Sequence, residues 1–201
     1  ILRFGFTRDI YSDHGAAILD ALTKTPRFNR WMSSVVSPYL GRRVLELGSG
    51  IGNLAMHLSR RRSAYFASDI DDEHIARLRT RFRDRPNFSI QRCNLENPEH
   101  FEPLKEKDID SVVCLNVLEH VPDDNQGLRN IFSVLQPGGR AVVLVPEGQS
   151  IYGTLDEVLG HCRRYSEDEL RSKMEAAGFT VERILRFNRV TRPGWYVNGR
   201  L

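Results

Sequence analysis

Cysteine is scarce in this chain. Its 201 residues hold three, Cys93, Cys114 and Cys162. An odd count without paired ligand spacing argues against a disulfide framework or a zinc knuckle, and the thiols read as reduced structural residues of a cytoplasmic protein. An excess of one charge is missing too: 29 basic against 26 acidic side chains leave a net charge of +3. Such a balance gives no field that would recruit nucleic acid or an anionic membrane. No apolar run approaches the roughly 20 residues of a membrane span, and the N-terminus has no apolar signal core. Internal repeats and low-complexity tracts are absent as well. What is present is 40% hydrophobic content, enough for one sizeable core and hence one domain.

Apolar positions at helical spacing, first Ala16-Ala17-Ile18-Leu19 and then Phe28, Trp31 or Met32, Val35 and Tyr39, predict two N-terminal helices within 16–40. Beyond Gly41 short apolar strands alternate with amphipathic helices: strand 43–47, helix 52–61, strand 64–68, helix 72–83 and strand 88–92. A short helix capped by Asn97 follows, then strand 110–115, helix 124–135 and strand 141–145 after the Pro137-Gly138-Gly139 turn. Strands separated by helices imply a parallel sheet. Ser166 and Glu169 form a capping box for a further helix ended by Gly178, and Phe179 to Phe187 predicts a sixth strand. The expected layout is a helical cap over 1–41, an α/β core over 42–187 and a tail over 188–201. The arginines at 77, 79, 81, 83 and 85 rotate around a helix at that spacing and read as solvated surface.

The densest signal is Val44-Leu45-Glu46-Leu47-Gly48-Ser49-Gly50-Ile51-Gly52-Asn53, a strand that breaks into three glycines two apart before a helix. Glycine suits a turn where ligand must approach backbone closely or φ is positive. The dinucleotide fingerprint G-x-G-x-x-G needs its third glycine at 53, where Asn53 stands, and Glu46 adds an anion that a pyrophosphate would repel. The loop therefore suits a cofactor without phosphates. In an open parallel sheet ligands sit at the carboxyl ends of the strands. After the second strand comes Ser68-Asp69-Ile70-Asp71, after the third Cys93-Asn94-Leu95, and after the fourth Asn116-Val117-Leu118-Glu119-His120-Val121. Asp71 is placed to cap the helix that starts at 72, which leaves Asp69 without a local task.

Glu46, Gly48, Gly50 and Gly52 match the E/D-x-G-x-G-x-G first motif of the class I S-adenosylmethionine-dependent methyltransferases, and the chain resembles that superfamily over about 43–145. The resemblance implies a Rossmann-like doubly wound, mostly parallel sheet, whose seventh strand is expected to be absent or to lie outside these 201 residues. It implies S-adenosylmethionine as cofactor and S-adenosylhomocysteine as product, held by Glu46, Gly48, Ser49, Gly50, Gly52, Asn53, Asp69, Ile70, Asn94, Leu95, Asn116 and Val117. In that scheme Asp69 takes the ribose hydroxyls, Ile70 lies against adenine, and Asn94 stands where relatives often carry an acid. His120 is the expected general base for an oxygen or nitrogen acceptor, with His161 second. The segments 26–31 and 146–166 are expected to cover the cofactor and shape the acceptor pocket. A Glu-x-x-Glu-His motif with a downstream His binds a divalent ion in the small-RNA 2′-O-methyltransferases; Asn116 replaces its first carboxylate here, so no metal is expected. Chains similar to this one through Arg27-Phe28-Asn29-Arg30-Trp31 and Pro193-Gly194-Trp195-Tyr196 include bacterial methyltransferases joined to glycosyltransferase modules, which points to a small-molecule acceptor, sugar- or lipid-linked. The rival expectations are a nicotinamide oxidoreductase, an RNA methyltransferase, and a cofactor-binding module without catalysis.

Overall fold

The computed structural model describes residues 26–186. The first expected helix (16–19), the end of the expected sixth strand, the tail and Pro193 to Tyr196 lie outside the described residues. Helix α1 (Pro26–Val36) opens on a proline, which suits a first turn whose N–H groups have no partner anyway. It buries Asn29, Met32, Ser33 and Val36, so of the stripe expected at 28, 31 or 32, 35 and 39 Met32 faces inward, while the buried face is otherwise turned one position round. The reason is local: the Phe28 and Trp31 rings pack on each other, centroids 5.7 Å apart, and Trp31 stays exposed. Pro38, inside the 3₁₀ turn Ser37–Tyr39, stops the helix.

Five strands follow: β1 (Arg43–Leu47), β2 (Ala64–Asp69), β3 (Phe88–Arg92), β4 (Ile109–Leu115) and β5 (Leu135–Leu144). They pair in parallel in the order β3-β2-β1-β4-β5, as a doubly wound α/β sheet requires. The helices between them are α2 (Ala55–Leu58), α3 (Asp72–Phe82) and α4 (Asp124–Val134), with α5 (Thr154–Val158) and α6 (Glu167–Ala176) after β5. Side chains alternate across a strand, so neighbours serve opposite faces. Leu45, Phe66 and Val112 join the core beneath α4 and α6, while Val44, Tyr65 and Val113 join the one beneath α1, α2 and α3. Helix α4 buries Leu128, Ile131 and Val134 on the first face, each contributing about 1.5–3 kcal/mol relative to exposure. Phe82 of α3 stacks on Phe88 of β3 at 4.0 Å and closes the second.

Two expectations change. The chain enters β5 directly from α4, and Pro137-Gly138-Gly139 lies inside the strand, where Gly138 takes φ +78° and the register slips between Ile109 and Ser111 of β4. No strand forms over 179–186. Phe179, Val181 and Ile184 are half-buried there, but none of 179–186 pairs with a strand of the sheet, and Phe179 packs edge-on against Phe132 of α4 instead. Among the described residues no helix is long and apolar enough to cross a membrane.

Candidate active site

Strand β1 lies between β2 and β4, so the loops leaving β1 and β4 diverge where the strand order reverses. The β1 loop turns on three glycines with positive φ. At Gly48 a Cβ would run into the Val117 side chain after β4, and at Gly52 it would stand 2.5 Å from Phe82 and 2.9 Å from Leu78. The two glycines thus serve different ends: Gly48 lets the β1 and β4 loops touch, and Gly52 lets the loop settle on α3. Ser49 ties the loop to β2, its N–H donating to the Ser68 carbonyl at 2.8 Å and its hydroxyl accepting from the Ser68 N–H at 3.2 Å. Asn53 accepts from Arg81 Nη1 at 3.1 Å, and the same nitrogen reaches the Ile51 carbonyl at 2.8 Å. Arg81 is therefore a brace of the loop, an exception to the solvated arginine surface expected from its spacing.

Glu46 is buried under the loop and accepts the Tyr65 hydroxyl at 2.9 Å. Burial pushes its carboxyl up to about 7, against the pull of the Tyr65 and Ser49 hydroxyls. Asp69 is buried as well, yet it titrates below the ordinary aspartate range. Burial raises it, but donors outweigh that: His74 Nδ1 at 3.2 Å, the Asp71 N–H at 3.0 Å and the Gly50 N–H at 2.7 Å. Asp71 caps α3 through the Glu73 and His74 N–H groups, as expected. Ile70 beside them is 53% exposed, a bare apolar face at the carboxyl end of β2.

Beyond β3 the expectations divide. Asn94 spends its side-chain oxygen on the Glu96 N–H at 3.0 Å. Leu95 is committed to the core: its side chain packs at the place of a Gly127 Cβ, and its carbonyl accepts Asn130 Nδ2 at 2.8 Å. It does not join the site through its side chain. Asn116 holds φ +54°, rare for a side-chain-bearing residue, with its N–H on the Leu144 carbonyl at 2.9 Å. That kink swings the chain off β4 into the 3₁₀ turn Leu118–His120.

His120 and His161 come together across the molecule, ring centroids 4.8 Å apart and nearly perpendicular. His120 Nδ1 lies 3.3 Å from the Gly160 carbonyl and His161 Nδ1 2.8 Å from Asp156 Oδ1. Those partners only accept, so each Nδ1 carries the proton and each Nε2 keeps its lone pair. Burial holds both imidazoles below the ordinary histidine value. His161 adds to the effect on His120, while for His161 the Asp156 carboxylate pulls the other way. Asp156, buried in the short helix α5, also accepts Arg164 Nε at 2.8 Å and the Gly153 N–H at 3.1 Å. Glu119, between the β4 kink and His120, is 1% exposed, and burial pushes its carboxyl up to about 8. Glu119, Asp156, Arg164 and His74 stand outside the residues selected from sequence. Helix α6 is moored alongside by Asp124, which accepts the Tyr165 hydroxyl at 2.9 Å and pairs with Arg163 at 2.7 Å and Lys173 at 2.9 Å.

Known proteins are similar to this chain. Residues 45–141 match the family described as methyltransferase domain. A protein of Mycolicibacterium smegmatis named "Probable S-adenosylmethionine-dependent methyltransferase" is 34% identical over 150 residues, covering 72% of this chain and 54% of the relative. The ubiquinone/menaquinone biosynthesis C-methyltransferase of Serratia proteamaculans is 34% identical over 107 residues, 52% of this chain and 42% of its own length. The chain thus spans about half the length of these relatives. Among solved structures, the YcgJ protein of Bacillus subtilis superposes with a TM-score of 0.66 at 19% identity, over 87% of this chain and 78% of that one, a likeness of fold.

Proposed function

Because the chain belongs to the class I S-adenosylmethionine-dependent methyltransferase superfamily, we propose that it transfers a methyl group from S-adenosylmethionine to an oxygen or nitrogen of a small molecule, a sugar- or lipid-linked acceptor being the leading class. The observation that carries the acceptor part is the His120–His161 pair. His120 follows β4 and His161 follows α5, and each keeps a deprotonated Nε2, what a hydroxyl or amine needs to lose its proton near neutral pH.

The residues around the loop fit the cofactor. Ile70 offers a bare apolar face, and Asp69 retains about one of its roughly four lone-pair sites after three donors are counted. Asp69 then takes one ribose hydroxyl while it holds the loop, and a second would displace His74, its longest partner. Gly48, Ser49 and Gly50 line the amino-acid end above Glu46, and Asn116 and Val117 border it from β4. When bound, the cofactor supplies a methyl group on a cationic sulfur. The chain's own work is to hold a nucleophile in line with that methyl, exclude water, and move one proton to His120 Nε2.

Transfer of labelled methyl from S-adenosylmethionine into a cell extract, with the product identified, tests the proposal. Label on a small-molecule oxygen or nitrogen is expected. Label on carbon would establish the second reading, which the C-methyltransferase relative favours. Label on RNA, or none in any extract, would overturn both. Thermal stabilisation by S-adenosylhomocysteine and not by NAD is the companion measurement, and NAD alone raising the melting temperature would refute the cofactor.

A further inference from the structure

We propose that Glu119, His120 and His161 form a binding site for one divalent transition-metal ion of the zinc, cobalt or manganese class, ligated by a carboxylate oxygen and two imidazole Nε2 atoms. The absence of metal expected from sequence rested on Asn116, but the three remaining donors are drawn together by the fold. One ligand atom from each lies within 4.8 Å of the others. Ligands sharing an ion at about 2.0–2.2 Å stand some 3–4 Å apart, so side-chain rotations of about an ångström close the site.

Three further observations point the same way. Glu119 Oε2 is sealed from solvent and has no hydrogen-bond partner among the described residues. A buried carboxylate oxygen left so is costly, and a cation is the partner that removes the cost. Both histidines, moreover, have Nδ1 tied to an acceptor, the Gly160 carbonyl and the Asp156 carboxylate. That outer bond fixes the tautomer and the ring and is the usual companion of a metal-ligating imidazole. The supports are themselves held. Asp156 is fixed by Arg164, whose positive charge it neutralises, and by the Gly153 N–H. The Cys162 N–H donates to the Glu119 carbonyl at 2.7 Å and so stitches together the two segments that supply the ligands, and the Tyr152 hydroxyl steadies the second by donating to the His161 carbonyl at 2.7 Å.

The donor set selects the ion. Two imidazoles and a single carboxylate suit a borderline transition metal and provide too few hard oxygens for magnesium or calcium. Asn116 is neutral where a second carboxylate would have shifted that preference. Three protein ligands leave positions open, and a hydroxyl bound there gives up its proton more readily. This last consequence alone rests on the methyl-transfer reading, since the ion would then take over the proton-lowering task given to His120.

Cobalt titration of the chelator-treated full chain, without methyl donor, tests the site by visible absorption, with zinc and magnesium followed by calorimetry. One Co²⁺ or Zn²⁺ per chain is expected, with no uptake of Mg²⁺ at the same concentrations. His120→Gln and His161→Gln should weaken Co²⁺ binding more than tenfold, Asp156→Asn by about 10- to 100-fold, and Cys162→Ser not at all. The exposed His120 keeps the test usable if Glu119→Gln fails to fold. No Co²⁺ or Zn²⁺ uptake by the folded wild-type chain, or uptake that survives both histidine substitutions, would overturn the proposal. Methyl transfer by an ion-free chain would leave the methyltransferase reading and the site standing and would overturn only the assignment of the proton-lowering task to the ion.

Discussion

Replacing Glu46 by Gln removes a titrating proton and almost no volume, which makes it a direct probe of the buried carboxyl beneath the loop. In the folded chain Glu46 titrates at about 7 against an ordinary 4.5. Between those values the folded chain holds a proton that the unfolded chain has released. Stability is therefore fully present below pH 4.5, falls as pH rises through that window and levels off above 7. At about 1.4 kcal/mol per pKa unit the loss is on the order of 1 kcal/mol by pH 5.5 and about 3 kcal/mol by pH 8. The amide of the Glu46→Gln variant has no proton to lose, and its oxygen still accepts the Tyr65 hydroxyl. The variant should thus gain about 2 kcal/mol on the wild type between pH 5.5 and pH 8. In urea that is a relative midpoint shift of about 1 M, for a slope near 2 kcal/mol/M. Unfolding curves of both proteins at the two pH values measure it. A stability difference that does not change with pH, or a variant that loses ground at pH 8, would refute the account of Glu46 as a carboxyl kept protonated by burial.

Asp69→Ala removes the acceptor of the Gly50, Asp71 and His74 donors, and should weaken S-adenosylhomocysteine binding by roughly 1.5–3 kcal/mol, the usual worth of a bond to a charged group. Unchanged affinity in calorimetry would shift the ribose contact to Asp71. His120→Ala should lower kcat far more than it weakens cofactor binding, and equal losses in both would make it a binding residue instead. Asp124→Ala leaves Arg163, Lys173 and the Tyr165 hydroxyl without their shared acceptor. Chemical denaturation should show a loss of about 3–5 kcal/mol, and one below 1 kcal/mol would mean that water replaces the carboxylate.

The strands were legible because a sheet covered on both faces needs apolar side chains in both directions, and Val112-Val113-Cys114-Leu115 writes that need as a continuous run. The glycine loop was legible for the opposite reason: tight geometry admits few residue types. The α1 face was harder to read, since Trp31 packs on the half-buried Phe28 from the solvent side while Met32 enters the core, and hydrophobicity alone cannot choose between neighbours. The 179–187 segment carries enough apolar residues for a strand, but residues 179–186 take another course, and which edge receives a partner is a property of tertiary contact. In the Asp156–His161–Arg164 cluster only His161 stood out in the sequence; Asp156 and Arg164 join it because the chain after β5 folds back on the Leu118–His120 turn.

The bond from Gly50 to Asp69, with Arg81 clasping the far side of the same loop, sets the thermodynamic character of ligand capture. A loop already pinned at both flanks has little configurational freedom left to surrender. Ligand arrival then amounts to an exchange of hydrogen-bond partners on a finished surface, without the ordering of a coil. The heat-capacity change of S-adenosylhomocysteine binding should accordingly match the ligand's own buried area, with none of the excess that accompanies folding upon binding.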